Sequence, residues 1–183
     1  MDLRFIFLTL MVTLSLAACN AGLQVEGEQT LFGALPGSEF ILHEDIVILP
    51  GRLRAIFQGG RLLNGASEFE PRCELEIRHF SEEPQTIHAG TYSIDTVRGV
   101  DRYVRRPDEK ILVAAAEVLQ VASDSGDSQW HMQTYHMKLH SDVHADAPAL
   151  ICGGAYDFAF YVRYPDLQDM QAALGDYALL KLR

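Results

Sequence analysis

Four histidines and two methionines fall close together in the chain: His131, Met132, His136, Met137, His140 and His144. Imidazole and thioether sulfur are good copper ligands, and imidazole also suits zinc, so this run is the first candidate metal centre. Its spacing argues against one. Residues 133–139 alternate through the apolar Tyr135, Met137 and Leu139, the period of a half-buried strand. On a strand, His136 and His140 share a face but stand roughly 13 Å apart, at about 3.3 Å per residue. Ligands of one zinc ion must converge to about 2.0–2.1 Å from it. Met137 falls on the opposite, apolar face and is expected in the core. The histidines are then polar positions on an outer face, with His144 in the loop beyond. A copper or zinc site built from His131, His136, His140 and His144 is the alternative. It calls for a helix, on which His136 and His140 would be i,i+4 neighbours, and Thr134 and Tyr135 disfavour that.

A second group is basic: Arg98, Arg102, Arg105, Arg106 and Lys110, with Tyr103 among them. Guanidinium forks beside an aromatic ring suit phosphate or carboxylate groups. Arg98, Arg102, Arg105 and Arg106 are therefore a candidate patch for an anionic ligand, such as a lipid headgroup, a peptidoglycan carboxylate or an acidic partner. The plainer reading is a solvated loop whose cations pair with Asp101, Asp108 and Glu109. Signatures of catalysis are missing: the chain has no GxSxG, HExxH, P-loop or GxGxxG. Glu74 and Glu76 alternate along a strand, as acids on a solvated face do. The expectation is a protein that is no enzyme and carries no cofactor. A cell-envelope hydrolase, with a Ser/His/Asp set assembled only in space, is a weaker alternative.

The third group is the cysteines, Cys19, Cys73 and Cys152. Arg4 opens an uncharged run over residues 5–18, about 14 residues where a bilayer-spanning helix needs roughly 20. A basic start and a short apolar run read as an export signal. The end of that run, Leu16-Ala17-Ala18-Cys19, resembles the lipobox of bacterial lipoproteins. The resemblance covers only the first twenty or so residues. It implies a diacylglyceryl group on the Cys19 thiol, cleavage between Ala18 and Cys19, and acylation of the new amino terminus. Its partner is then the membrane, reached through several acyl chains at about 0.8 kcal/mol per buried CH₂, where a single chain is marginal. Asn20, where an aspartate would retain an enteric lipoprotein in the inner membrane, implies the periplasmic face of the outer membrane. Nothing resembles the common peptidoglycan-anchoring motifs.

An odd number of cysteines in an exported chain leaves one thiol to explain. Lipidation of Cys19 accounts for it, and Cys73 and Cys152 are expected to pair in an oxidising compartment. The loop they close is nearly 80 residues, for which the chain-entropy account gives about 4–5 kcal/mol.

These groups need elements to hold them. The 183 residues suit one domain. Residues 1–18 are the signal peptide, and 19–38 are the lipidated amino terminus and a glycine-rich tether of about 20–25 Å mean reach. Leu31, Phe32 and Leu35 could dock the tether's last part on a single β-rich domain over 39–183. Strand patterns occupy 41–49, 52–58, 73–80, 91–97, 133–139, 156–162 and 177–182, with turn residues between them, and the nearly all-apolar 111–121 fits a buried strand or a helix, its β-rich neighbours favouring strand. One helix begins at the cap Asp166, buries Leu167, Met170, Ala173 and Leu174, and stops at Gly175. The fold class is all-β or β-rich: an antiparallel sandwich or partly closed barrel of about eight strands with one short C-terminal helix. A net charge of −10 argues against nucleic acid and against broad adhesion to anionic lipid. The expected function is a membrane-anchored periplasmic lipoprotein with a non-catalytic binding or scaffolding domain, its partner an envelope protein or glycan.

Overall fold

The computed structural model describes residues 31–105, 129–143 and 147–183. They build a strand-rich, strongly curled antiparallel half-barrel with one short helix, as the sequence pattern predicts. Eleven strands are described: β1 (Glu39–Leu42), β2 (Ile46–Ile48), β3 (Arg54–Gln58), β4 (Arg61–Leu63), β5 (Arg72–Glu76), β6 (Gln85–Ile87), β7 (Gly90–Arg105), β8 (Gln129–His140), β9 (Ala149–Gly153), β10 (Asp157–Phe158) and β11 (Ala178–Lys181). The helix α1 (Leu167–Leu174) precedes β11. The main sheet runs β11-β1-β7-β8-β9-β5-β3-β4, with β10 added on β8, while β2 and β6 form a separate ribbon.

Alternation decides what faces inward. Tyr135, Met137 and Leu139 of β8, Leu150 and Cys152 of β9, Cys73 and Leu75 of β5, and Phe57 of β3 line the inner face and are buried. Cys73 and Cys152 are directly opposed on β5 and β9 and form a disulfide within this core. Curling brings the two ends of the sheet to one helix: α1 packs on β11 and also on β3 and β5, burying Met170, Ala173 and Leu174. Asp166 caps α1 in a capping box with Asp169, and Gly175 ends it, both as predicted. Gln171 covers the exposed edge of β11. Its amide nitrogen donates to the Ala178 carbonyl at 2.7 Å, and its oxygen accepts from the Leu180 N–H at 3.1 Å.

The strand boundaries differ from the pattern in instructive places. Residues 41–49 are two strands, because at 43–45 the chain leaves the main sheet. There the His43 N–H donates to the Tyr177 carbonyl, and the Asp45 carboxylate accepts the Ala89 N–H at 2.7 Å. Gly59 and Gly60, both at positive φ, make the two-residue turn that joins β3 to β4, a strand the pattern leaves in a loop. The strand predicted over 73–80 stops at Glu76. In β7 the register shifts between Ile94 and Thr96, so Thr96 is exposed and Val97 packs on the core.

Residues 156–162 are not a strand. Only Asp157 and Phe158 pair with β8. Then Tyr161 and Val162 both donate to the Phe158 carbonyl in a turn, and Phe160 is 97% exposed. The predicted strand over 111–121 lies outside the described residues. Residues 31–38 pack against the sheet: Leu35 is fully buried, Phe32 lies edge-on to Tyr135 and Tyr164, and the Leu31 N–H donates to the Tyr135 hydroxyl at 3.0 Å.

Candidate functional site

Turning a strand's inner residues into the core puts the alternate set on the outer face. On β5 that set is Arg72, Glu74 and Glu76; on β7 it includes Arg98 and Arg102; on β8 it includes His136 and Lys138. The registers align them in rows across the sheet. Glu74 is opposite Ile151, Ile151 is opposite His136, and His136 is opposite Arg98. One step along, Glu76 is opposite Ala149, Ala149 opposite Lys138, and Lys138 opposite Thr96.

Glu74 is the centre of this face. Its side chain is only 6% exposed, and three arginines from three strands converge on it. Arg54 Nη1 donates to Oε2 at 3.0 Å, Arg72 Nε to Oε1 at 3.2 Å, and Arg102 Nη1 lies 3.7 Å from Oε1. Arg54 Nε also reaches Glu76 Oε2 at 2.6 Å. The solvated acid of the sequence pattern is therefore a buried one. Period-two alternation fixes which face a residue takes, but not what its neighbours lay over it.

Beside the cluster runs a groove of about 670 Å³, lined by Ile77, Arg78, Thr96, Arg98, His136, Lys138 and residues 147–149. Arg78, Arg98 and Lys138 are exposed and form no ion pair among the described residues. Burial, and then Arg102, Arg98 and Arg54, hold the His136 imidazole below its ordinary pKa against the opposing pull of Glu76. Its Nε2 is shut from solvent and has no hydrogen-bond partner among the described residues.

The chain matches no protein-family model, no curated protein and no solved structure. The site has only its own chemistry to speak for it.

That chemistry divides the predicted groups. Of the basic patch, Arg98 and Arg102 stand on the outer face of β7, in a strand and not in a solvated loop. Arg105 ends that strand, and Arg106 and Lys110 lie outside the described residues. Arg102 takes Glu74 as its partner, while Asp101 pairs with His131 Nδ1 at 3.0 Å. Tyr103 stands on the face of β7 opposite to Arg102, beside His131.

The histidine run is not gathered. His131 and His136 point to opposite faces of β8, and His140 lies at its far end with Asp142 at 3.2 Å. His144 is outside the described residues. Among the described residues no cluster of metal-ligating side chains forms. Cys19 and the lipobox-like run before it are likewise outside them. No described helix is long and apolar enough to cross a membrane.

Arg54, Arg72, Arg78 and Lys138 were not read as part of the patch, because they are far from Arg98 and Arg102 in the chain, three of them on other strands and Arg78 just beyond β5. A faint signal was present. Arg72, Glu74 and Glu76 are spaced by two, and Arg98 and Arg102 by four, so each set shares a face of its strand.

Proposed function

We propose that this protein is a lipid-anchored component of a bacterial envelope whose domain binds a partner without catalysing a reaction. The observation that carries the reading is the Cys73–Cys152 disulfide. A structural disulfide of this kind belongs to oxidising compartments. It also leaves Cys19, at the end of the lipobox-like run, as the one cysteine of the three outside that bond. The binding half of the proposal is supported by the outer face of the sheet. A chain of net charge −10 gathers its cations there around one buried carboxylate.

The anchor is tested by Cys19→Ser. The variant should lose metabolic acyl labelling and leave the membrane fraction, or stay uncleaved; normal acylated retention would overturn it. Binding is tested by cross-linking the native protein in its own membrane. The expected result is a recurrent protein or glycan adduct that Arg98→Glu removes. Capture of nothing, or of an adduct indifferent to Arg98, would overturn that half.

A further inference from the structure

We propose that the outer-face groove binds an oxyanion group, a carboxylate or phosphate on a short organic body, held by Arg98 and Lys138 with Arg78 at the rim. The inference deepens the binding role proposed above and does not depend on the anchor.

Charge is the first support. Arg54, Arg72, Arg78, Arg98, Arg102 and Lys138 surround two carboxylates, Glu74 and Glu76, and both are already engaged by arginines. Among the described residues Glu76 is the one acid that lines the groove, and Arg54 holds it. Among the described residues Arg78, Arg98 and Lys138 thus have no counter-charge, on a chain of net charge −10, and such an arrangement repels itself until an anion arrives.

Geometry is the second. Arg98 stands opposite His136, and Lys138 is two residues further along β8 on the same face. Such diagonal neighbours lie roughly 7–8 Å apart at the backbone, close enough for two long side chains to meet on one ligand group. Arg contributes a planar two-pronged donor and Lys a mobile point charge, a combination suited to oxyanions. The groove's volume falls in the range of small-molecule sites, roughly 300–1,000 Å³. Ile77, Ala147, Pro148 and Ala149 give it an apolar wall for the body of the ligand.

His136 supplies a third support and a reporter. It is faced by Arg98 and Arg102 from β7, Glu76 from β5, Arg54 from β3 and Lys138 from its own strand. The arginines disfavour its protonation. An anion seated on Arg98 and Lys138 would offset that field and draw the imidazole's pKa upward.

The experiment is an NMR titration of the full chain in detergent, reading the histidine ring signals across pH. Inorganic phosphate and succinate are added in separate arms at constant ionic strength. Saturable shifts at His136, with His140 unmoved, and an upward move of the His136 titration are expected. Arg98→Gln combined with Lys138→Gln should weaken binding at least tenfold, while Arg61→Gln, on exposed β4, should not change it. Tighter phosphate binding identifies a phosphorylated ligand, and tighter succinate binding a carboxylated one. Shifts that never saturate, or that survive the double substitution, would overturn the proposal. Cys19→Ser should leave the titration unchanged, so anchor and anion site fail separately.

Discussion

Replacing Glu74 by glutamine keeps the shape and removes the charge on which Arg54, Arg72 and Arg102 converge. Breaking a buried ion pair from one side costs about 3–5 kcal/mol; here the low end, roughly 3 kcal/mol, is expected because Arg54 remains partly solvated. Urea unfolding of the two proteins measures it, and a loss under about 1 kcal/mol would mean that the arginines rehydrate freely. His136 makes a second residue-scale prediction. Its folded pKa lies below the ordinary value of 6.5, because burial and Arg102 disfavour the cation. Well above pH 6.5 it is neutral folded or unfolded and contributes no pH dependence. Below it the unfolded chain takes up the proton first, so stability falls as pH drops through 6.5 towards the folded pKa. Unfolding midpoints should fall from pH 7.5 to pH 5.5, and His136→Gln should flatten that part of the curve. An unchanged slope in the variant would assign the effect elsewhere. Neither residue was legible in the sequence as what it is. Glu74 and His136 both read as outer-face positions, and so they are. Arg54 and Arg102 reach Glu74 from β3 and β7, and Ile151 stands opposite both Glu74 and His136 on β9, so neighbours from other strands set their surroundings.

Among the elements, α1 was legible and the short strands were not. A capping aspartate, helical spacing and a glycine stop are local signals. By contrast β4 and β6 have only three residues each, too few for a period to declare itself. The bulge near Asp95 and the turn after Phe158 are set by how neighbouring chain packs, which no single segment records. Gly175 carries the sharpest test at this scale. It has φ +59°, and a Cβ there would lie 2.4 Å from Gly60 Cα in the β3–β4 turn, so backbone would meet backbone. Gly175→Ala should therefore cost about 2–3 kcal/mol through strain and overpacking where α1 closes the sheet. Gly33→Ala, where a Cβ meets nothing within 4 Å, should change stability by less than about 0.5 kcal/mol. Equal effects in thermal melts would remove the claim that α1 locks the two ends of the sheet together.

At the scale of the whole molecule, the cysteine count was the most informative line in the sequence. Three thiols, one of them at a lipobox-like site, left a pair to join, and Cys73 and Cys152 do meet as cross-strand partners. The half-barrel was foreseeable from alternation and turn residues. Its outer charged face was not, since it is assembled from β3, β5, β7 and β8. Both sulfur-bearing residues are fully buried. Reductant alone should leave the bond largely intact, and reductant with urea should open it. Cys73→Ala with Cys152→Ala should lower stability by about 2–5 kcal/mol. Rapid thiol labelling in native buffer would contradict that burial. Lipid anchoring and an oxidising compartment are claims about one polypeptide and can be read together. The intact mass of the protein extracted from its native membrane is the direct measurement. The account predicts a chain of residues 19–183, carrying diacylglycerol and an amide-linked acyl group on Cys19 and lacking two hydrogens for the Cys73–Cys152 bond. A chain retaining residues 1–18, or an unmodified Cys19 with Cys73 and Cys152 as free thiols, would contradict it.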